Sequence, residues 1–292
     1  MSVWFTTGSS RGFGRELVRA ALKAGEQVVA TARKPEQLAE FTDGYGDRFL
    51  AVPLDVTDAG AVDSAVAAAV ERFGRLDVVV NNAGYANVAP IETGDPEDFR
   101  AQFETNFWGV YNVSRAVIPH LRAQGGGTIV QFSSVGGRVG GGTGIASYQA
   151  AKFAVDGFSR SLQAEVSQFG IRVLVIEPSG FATEWAGSSM AIGDIPPEYD
   201  AVIGGPRVRA REDRTSGFYA GDPKRAAEIV VQVAKRTNPP THLLLGVGAV
   251  QGALAYSQRQ IDEATAWQQV SRSADFSEPY PAAPVPDEQS PA

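Results

Sequence analysis

A tyrosine and a lysine stand four residues apart, at Tyr148 and Lys152, in a segment that favours a helix. That spacing places both side chains on one helix face, one turn apart. A free tyrosine has a pKa of about 10, and a neighbouring ammonium group favours the phenolate and lowers that pKa. The pair can therefore exchange a proton with a substrate oxygen. Taken alone, the spacing is also compatible with a surface pair on an amphipathic helix.

A glycine-rich segment near the start of the chain follows an apolar run and precedes a helical pattern; it reads Thr7-Gly8-Ser9-Ser10-Arg11-Gly12-Phe13-Gly14. In this context Gly8 permits a tight turn, Gly12 lets the backbone approach a pyrophosphate, and Gly14 lets helix and strand pack closely. The helix N-terminus offers N–H groups and a positive dipole end to phosphates. We predict a dinucleotide site here, and the alternative is an ordinary strand–helix turn.

The residues around this site favour NADP(H) as the cofactor. The second apolar run is not followed by a carboxylate that could bind a ribose 2′-hydroxyl; Arg33 stands there, and Arg11 lies in the glycine segment. Two guanidinium groups can clamp a 2′-phosphate. The alternative is that Arg33 is a solvated loop charge. Asp55, after the third run, is placed either to accept from an adenine amino group or to form a turn.

Short β-branched or apolar runs alternate with longer helical patterns along the chain. The predicted strands are residues 3–7, 27–32, 49–54, 76–81, 128–133, 172–177 and 242–246, and the predicted helices include 14–24, 59–73, 96–122, 148–169 and 223–235. This alternation is typical of βαβ units, and nearly continuous apolar runs indicate strands buried on both faces. The predicted fold class is α/β: a doubly wound parallel β-sheet flanked by helices, of the Rossmann type, in a single domain.

Residues 1–270 are predicted to form this one dinucleotide-binding and catalytic domain, with 185–220 as a substrate-binding loop or cap. That segment mixes glycine, proline and charge with isolated large apolar residues, and long irregular insertions are usually functional or mobile. Its Trp185, Met190 and Phe218 are equally compatible with a small core and with the lining of an apolar pocket. Residues 271–292 are predicted to be a disordered tail, because prolines with small and acidic residues dominate there.

Composition argues against several classes of protein. The 292-residue chain carries 26 basic and 33 acidic residues, a net charge of −7, which argues against nucleic-acid binding. It has no cysteine and only two histidines, His120 and His242, so no metal site is expected. With no basic leader and no apolar run of roughly 18 residues, we expect no membrane contact and a cytoplasmic location.

With these motifs in this order, the chain resembles the short-chain dehydrogenase/reductase family, in its compact single-domain subgroup, over about residues 1–250. The resemblance rests on the glycine segment and on Asn81-Asn82-Ala83-Gly84, Asn106, Ser134, Tyr148 and Lys152. It implies an NADP(H)-dependent oxidoreductase that interconverts a ketone or aldehyde and the corresponding alcohol, with the nicotinamide supplying the hydride. It also implies a small-molecule carbonyl or alcohol substrate, and a homodimer or homotetramer formed through the helices predicted at 96–122 and 148–169.

The resemblance assigns roles to individual residues. Tyr148 would act as general acid in reduction and general base in oxidation, while Lys152 would lower the tyrosine pKa and hold the nicotinamide ribose. Ser134 would orient the substrate oxygen, and Asn106 would hold a water molecule that links Lys152 to solvent. The other residues expected to bind the cofactor are Gly8, Ser10, Arg11, Gly12, Phe13, Gly14, Arg33, Asp55, Val56, Asn82, Ala83, Gly84, Pro178, Gly180, Phe181 and Thr183.

The chain departs from the family pattern at three points. The loop between Ser134 and Tyr148 is one residue longer than usual, which leaves Ser133 as a second candidate for the substrate-orienting serine, although we prefer Ser134. Pro178-Ser179-Gly180 stands where the family commonly has Pro-Gly, a difference that would alter the backbone near the nicotinamide. Ala151 replaces a frequent serine, a change that we expect to be tolerated.

The apolar residues of 185–220 favour a hydrophobic substrate. Two other functions are weighed against the oxidoreductase: a catalytically silent NADP(H)-binding regulatory or sensor protein, and an isomerase or epimerase that keeps its cofactor bound. Silent proteins of this kind generally lose the tyrosine or the lysine, and both are present here. The glycine spacing favours the dehydrogenase/reductase subgroup over the isomerase.

Overall fold

The computed structural model describes residues 1–183, 190–204, 220–276 and 285. Seven parallel strands form one sheet in the order β3-β2-β1-β4-β5-β6-β7. The strands are β1 Val3–Thr6, β2 Gln27–Ala32, β3 Phe49–Pro53, β4 Val78–Asn81, β5 Gly127–Phe132, β6 Ile171–Pro178 and β7 His242–Leu245. The strand order reverses between β1 and β4, and ligands of open α/β sheets bind at the carboxyl edge of such a switch point.

Helices cover both faces of the sheet. They are α1 Gly12–Lys23, α2 Ala39–Tyr45, α3 Ala59–Phe73, α4 Pro96–Phe103, α5 Gly109–Ala123, α6 Gly136–Val139, α7 Ala146–Val166, α8 Pro223–Ala234, α9 Val247–Ala266 and α10 Gln268–Arg272. A π-helical turn, Glu104–Trp108, joins α4 to α5. Shorter helical turns lie at Pro35–Leu38, Gly46–Arg48, Ser167–Phe169, Pro197–Tyr199 and Asp200–Gly204.

The strands are buried on both faces because two apolar cores enclose them. Trp4 of β1 lies in the core beneath α1 and α8, whereas its neighbour Phe5 lies in the core beneath α3, α5 and α7. Both side chains are fully buried. Complete burial of a large apolar side chain contributes roughly 1.5–3 kcal/mol to folding. The predicted doubly wound parallel sheet is thereby confirmed. The apolar runs are nearly continuous because each strand faces an apolar core on both sides.

Local sequence signals set several helix ends. The side chain of Asp95 accepts a hydrogen bond from the Glu97 N–H at 2.9 Å, and that of Asp222 accepts one from the Lys224 N–H at 2.8 Å. Each aspartate precedes a proline at the first helical position, where the missing N–H costs nothing. At the far end of the α7 region, Gly170 adopts a φ of +74° and ends the helical segment.

One helix was not expected from the sequence, and two predicted segments lie partly outside the described residues. The long helix α9 was not predicted. Only Ala249 and Ala253 of this helix are buried, so its sequence has little need of apolar residues at helical spacing. Of the segment 185–220, residues 190–204 and 220 are described, and Trp185 and Phe218 lie outside the described residues. Met190 packs in an apolar cluster with Tyr148. Most of the predicted tail 271–292 also lies outside the described residues, although α10 extends two residues past position 270.

Within the described ranges, no helix combines the length and the apolar character needed to cross a membrane.

Candidate active site

The glycine-rich segment forms the tight turn between β1 and α1. Gly8 and Gly12 have φ values of +65° and +55°, which side-chain-bearing residues rarely adopt. A Cβ atom at Gly14 would lie 2.2 Å from the Gly8 carbonyl oxygen, so only glycine lets α1 begin directly against the turn. The sequence pattern and the backbone geometry therefore agree residue by residue.

Hydrogen bonds from the end of β4 hold this turn in place. The Asn82 side-chain amide donates to the carbonyl oxygens of Thr7 at 3.0 Å and Gly8 at 3.1 Å. In return, the Thr7 hydroxyl oxygen accepts from the backbone N–H groups of Asn82 at 3.0 Å and Ala83 at 3.1 Å. Asn82 was expected to line the adenosine side of the site. Asn82 does line the cleft, and its amide also shapes the glycine turn, which links two strand ends 75 residues apart.

A cleft of about 1580 Å³ opens at the carboxyl edge of the sheet. Its walls include every residue expected to bind cofactor or act in catalysis except two, Gly14 and Asn106. Ligand pockets for one small molecule usually measure roughly 300–1,000 Å³. The cleft therefore has room for a dinucleotide and a substrate side by side.

Two arginines stand at the end of the cleft beside β2. Arg33 and Arg11 are both exposed and both line the cleft. Arg33 forms no ion pair with any residue that the structure describes.

Asp55 lies nearby, and its Oδ1 accepts from the Thr57 N–H at 3.0 Å and the Thr57 hydroxyl at 2.8 Å. Of the two roles left open for Asp55, the turn is the one that this geometry forms.

Tyr85, which sequence analysis missed, also lines the cleft near Arg33. Burial raises the pKa of its phenol, and Asp98 raises it further, while Arg33 and a hydrogen bond to Thr105 lower it. The signal for Tyr85 was its position immediately after the Asn-Asn-Ala-Gly segment.

The proton-transfer pair lies on the first half of α7. Tyr148 and Lys152 are 8% and 4% exposed, so both polar ends are shielded from water. The Lys152 Nζ lies 5.7 Å from the centre of the Tyr148 ring and donates to the Phe132 carbonyl oxygen at 2.7 Å. Both side chains border the cleft. The alternative of a surface pair on an amphipathic helix is therefore excluded.

The two candidate serines are distinguished by their partners. Ser134 hydrogen-bonds the Tyr148 hydroxyl, and its Oγ accepts from the Gly136 N–H at 3.0 Å. Ser133 is turned toward α7, where its hydroxyl donates to the Lys152 carbonyl oxygen at 3.1 Å. Ser134 is therefore the serine beside the Tyr148 phenol, while Ser133 fastens α7 to the end of β5.

Burial controls the protonation of the pair. It raises the pKa of Tyr148 to about 12, despite the opposing hydrogen bond from Ser134. It also lowers the pKa of Lys152 to about 8. The net pKa of Tyr148 is raised because removal of the phenolate from water is the largest contribution, and the expected lowering by Lys152 stays a prediction. At neutral pH Tyr148 is a phenol, the form that donates a proton.

Asn106 lies in the π-helical turn and is fully buried. Its Oδ1 accepts from the Tyr85 N–H at 3.1 Å, and its Nδ2 donates to the Tyr85 carbonyl oxygen at 2.8 Å. A Cβ on Gly84 would lie 2.5 Å from that Oδ1 and 3.6 Å from the Lys152 Nζ. Asn106 is thus next to Lys152, but its amide fixes the chain after β4. The expected role of Asn106 in holding a water molecule stays a prediction, and π-turns often occur at functional sites.

Aromatic rings and strand ends complete the wall beside α1. The Phe13 ring lies 4.9 Å from that of Phe181 and 5.5 Å from that of Phe132. The N–H of Ser179, the residue that separates Pro178 from Gly180, donates to the Leu245 carbonyl oxygen at 3.0 Å. The unusual serine therefore ties the end of β6 to β7. Thr183 follows, within van der Waals reach of a Cβ placed on Gly12.

Gln149 is a second cleft residue that sequence analysis missed. Its Oε1 accepts from the Gly142 N–H at 3.1 Å, so the residue after Tyr148 holds the long glycine loop. The local sequence pattern does not identify the contact with Gly142. The available signal was a long polar side chain directly after Tyr148.

Comparison with known proteins agrees with this geometry. The family model described as short chain dehydrogenase matches residues 2–191. Oxidoreductase BOA17 of Botryotinia fuckeliana is 48% identical over 86% of this chain and 91% of its own length. The 3-ketodihydrosphingosine reductase of Bacteroides thetaiotaomicron is 33% identical over 82% of this chain and 86% of its own.

Solved structures give the same result. A short-chain dehydrogenase from Streptomyces avermitilis superposes with a TM-score of 0.87 at 35% identity, over 94% of this chain and 100% of the other. A short chain dehydrogenase from Burkholderia cenocepacia in complex with NADP gives 0.71 at 26% identity, over 90% and 96%. A 3-ketoacyl-(acyl-carrier-protein) reductase from Brucella melitensis complexed with NADH gives 0.69 at 26%, over 84% and 96%. With the fold, the motifs and these relatives in agreement, the chain belongs to the short-chain dehydrogenase family of oxidoreductases.

Proposed function

We propose that the protein is an NADP(H)-dependent reductase that converts a ketone or aldehyde to the corresponding alcohol and catalyses the reverse reaction. One observation carries the proposal: the Tyr148 phenol is hydrogen-bonded to Ser134 and borders the same cleft as the glycine turn. A proton donor and a dinucleotide cradle facing one space are what hydride transfer to a carbonyl requires.

The turn fits a nicotinamide dinucleotide. Contacts under 3 Å at Gly8 and Gly14 keep that part of the wall free of side chains, and α1 begins at Gly12, where its first N–H groups are available to phosphate. When bound, NADPH supplies the hydride. Arg33 and Arg11 would hold its 2′-phosphate, which NADH lacks. The solved relatives include both NADP and NADH complexes, so the preference for NADPH rests on these two arginines.

Proton transfer is assigned to Tyr148. The substrate carbonyl oxygen would accept hydrogen bonds from Tyr148 and Ser134, whose hydroxyls already contact each other. As the carbonyl carbon accepts the hydride, the oxygen gains negative charge and takes the phenolic proton. The Lys152 ammonium, 5.7 Å from the ring centre, stabilises the phenolate that remains, and a proton from solvent restores the phenol. One hydride and one proton thus yield the alcohol.

The substrate proposed is apolar. Tyr148 packs in a cluster with Ile145, Met190 and Ile203. Ile145 and Ala191 also line the cleft beside it, so a substrate that reaches the tyrosine contacts apolar surface. A relative that by its name reduces 3-ketodihydrosphingosine is consistent with this proposal.

The test is NADPH consumption across a panel of aromatic ketones, long-chain aliphatic ketones and small charged keto acids. We expect turnover of the apolar ketones by the wild type. Turnover of charged keto acids alone would contradict the apolar substrate class. Saturable NADPH binding without turnover of any substrate would favour the catalytically silent binding protein.

We also propose that the chain forms a homodimer or homotetramer through α4, α5 and α7. Phe99 and Trp108 on this side are 40% and 44% exposed, and a chain of aromatic contacts links Trp108 through Phe107 to Phe158 of α7. Light scattering should show an oligomer that Trp108→Glu weakens. Trp267→Glu is the matched control, since Trp267 is equally exposed but follows α9. A monomeric wild type would contradict the proposal.

A further inference from the structure

Three potential metal ligands converge beneath α7, outside the cleft. They are Asp156 of α7, Glu177 of β6 and His242 of β7, and one ligand atom from each lies within 4.8 Å of the others. The register of β6 and β7 pairs Val175 with His242, which places Glu177 two residues further along the same sheet face. None of the three lines the cleft, so the proton-transfer mechanism does not account for them.

Glu177 brings a buried carboxylate oxygen without a hydrogen-bond partner into this cluster. It is fully buried, and its Oε2 accepts from the Arg138 Nε at 2.8 Å. Its Oε1 is also buried and has no hydrogen-bond partner within the described part of the chain. Buried carboxylate oxygens normally have a partner, because an unpaired one has lost its water without compensation. The free oxygen is therefore available to a ligand.

His242 is oriented in the same way as a metal-binding histidine. Its Nδ1 lies 3.1 Å from the Thr241 hydroxyl, and its Nε2 lies 2.5 Å from Oδ1 of Asp156. If Nδ1 carries the proton and donates it to Thr241, Nε2 presents a lone pair to a carboxylate. At 2.5 Å a proton joins these two atoms in the metal-free protein, and a metal ion would bind Nε2 by displacing that proton. An outer hydrogen bond at the second ring nitrogen is the usual companion of a ligating imidazole.

We propose that Asp156, Glu177 and His242 bind one divalent transition-metal ion, with Zn²⁺ as the chemically matched example. One imidazole and two carboxylates are ordinary zinc ligands at about 2.0–2.2 Å, so two ligand atoms on one ion are at most about 4.4 Å apart. To bind one ion, the widest separation of 4.8 Å must close and the His242–Asp156 contact of 2.5 Å must open, because tetrahedral ligands at these bond lengths lie about 3.4 Å apart. The ion would connect α7 to β6 and β7 outside the cleft, and its role would be structural.

The neighbouring arginines leave room for this ion. Arg138 pairs with Oε2 of Glu177 and leaves Oε1 free, as an outer hydrogen bond to a ligating carboxylate should. Arg160 pairs with Oδ2 of Asp156 at 2.8 Å, but its side chain is 56% exposed. Although the Asp156 side chain is only 15% exposed, Arg160 uses its Oδ2 and leaves Oδ1, the oxygen beside His242, for the ion.

The composition of the chain makes the test specific. There is no cysteine, and the only other histidine is His120. Chelator-treated full-length protein would be titrated with ZnCl₂ by calorimetry at fixed pH, and with Co²⁺ by its visible absorption. We expect one saturable site per chain and, at a hundredfold excess over the dissociation constant, a rise of roughly 4 °C in melting temperature.

Variants identify the ligands. His242→Gln and Glu177→Gln should each weaken Zn²⁺ binding at least tenfold, whereas His120→Gln, the matched control, should not change it. Because Glu177→Gln alters a buried group, circular dichroism would check that this variant still folds. The Co²⁺ absorption spectrum of the wild type tests the site without any variant. The proposal is overturned if the wild type shows no saturable site, or if His242→Gln binds Zn²⁺ as tightly as the wild type does. Either outcome would mean that a proton, not a metal, joins His242 to Asp156.

Discussion

The two halves of the cleft are built in different ways. At the cofactor end, a Cβ on Gly14 would meet the backbone oxygen of Gly8 at 2.2 Å. At the substrate end, a Cβ on Gly142 would meet the side-chain nitrogen of Gln149 at 2.8 Å. Backbone cannot move aside, but the end of a flexible side chain can. The cofactor end is therefore rigid and carried by backbone, whereas the substrate end is adjustable and carried by side chains.

The largest expected effect lies between the two halves, at Tyr148. Tyr148→Phe removes the proton donor and keeps the ring, so turnover should fall by about 10²–10⁴-fold, the usual contribution of general acid–base catalysis. NADPH affinity should stay unchanged, because the glycine turn is untouched. Steady-state rates and fluorescence titration with NADPH measure the two quantities. A variant with a nearly wild-type rate would remove Tyr148 from the mechanism.

The contrast between the halves is tested most directly by a pair of glycine substitutions. Gly14→Ala should cost about 1–3 kcal/mol, because overpacking against backbone forces the turn to shift, and NADPH binding should weaken accordingly. Gly142→Ala is the matched control at the substrate end. It should leave NADPH affinity unchanged and alter only KM for the carbonyl substrate. Equal losses of NADPH affinity in both variants would contradict the distinction between a rigid and an adjustable half.

Under the proposed function, the choice between NADPH and NADH would depend on side chains even at the rigid end. Arg33→Asp should reduce the preference for NADPH over NADH roughly tenfold, because about 1.4 kcal/mol of binding to the 2′-phosphate is lost. Lys34→Asp makes the same change of charge at the next exposed position and is the control. The ratio of kcat/KM for the two cofactors is the measurement. If selectivity is the same in both variants, other groups bind the phosphate.

The smallest expected effect is a gain in stability at Lys152. Burial lowers the folded-state pKa of this lysine from 10.5 to about 8. Below pH 8 the lysine is charged in both states, and the folded state bears the full cost of a buried ammonium. Between pH 8 and 10.5 only the folded lysine loses its proton, so wild-type stability rises with pH. Lys152→Met should therefore have a melting temperature roughly 2 °C higher near pH 7, for a gain of about 1 kcal/mol.

That gain should shrink as the pH rises from 8 to 10.5, while the variant stays inactive at every pH. Lys34→Met, at an exposed lysine, is the comparison for the general effect of removing a charge. A gain that does not change with pH would mean that the cost of burying Lys152 is not electrostatic.

Sequence alone determined the features that depend on neighbours along the chain. The alternation of apolar runs and helical patterns gave the parallel sheet, because strands enclosed by two cores must be apolar throughout. The turn at Gly8, Gly12 and Gly14 was predictable because backbone conformation is a local property. The i, i+4 pairing of Tyr148 with Lys152 was predictable for the same reason, since helix geometry fixes it.

Only the tertiary structure decided the features that depend on residues far apart in sequence. Strand order brings Asn82 to the glycine turn, and the path of the chain after β4 brings Tyr85 to Asn106. The choice between Ser133 and Ser134 depends on which side of β5 faces α7. The pKa of Tyr148 depends on how completely the fold encloses its ring, which no spacing in the sequence reveals, because desolvation is a property of the packed molecule.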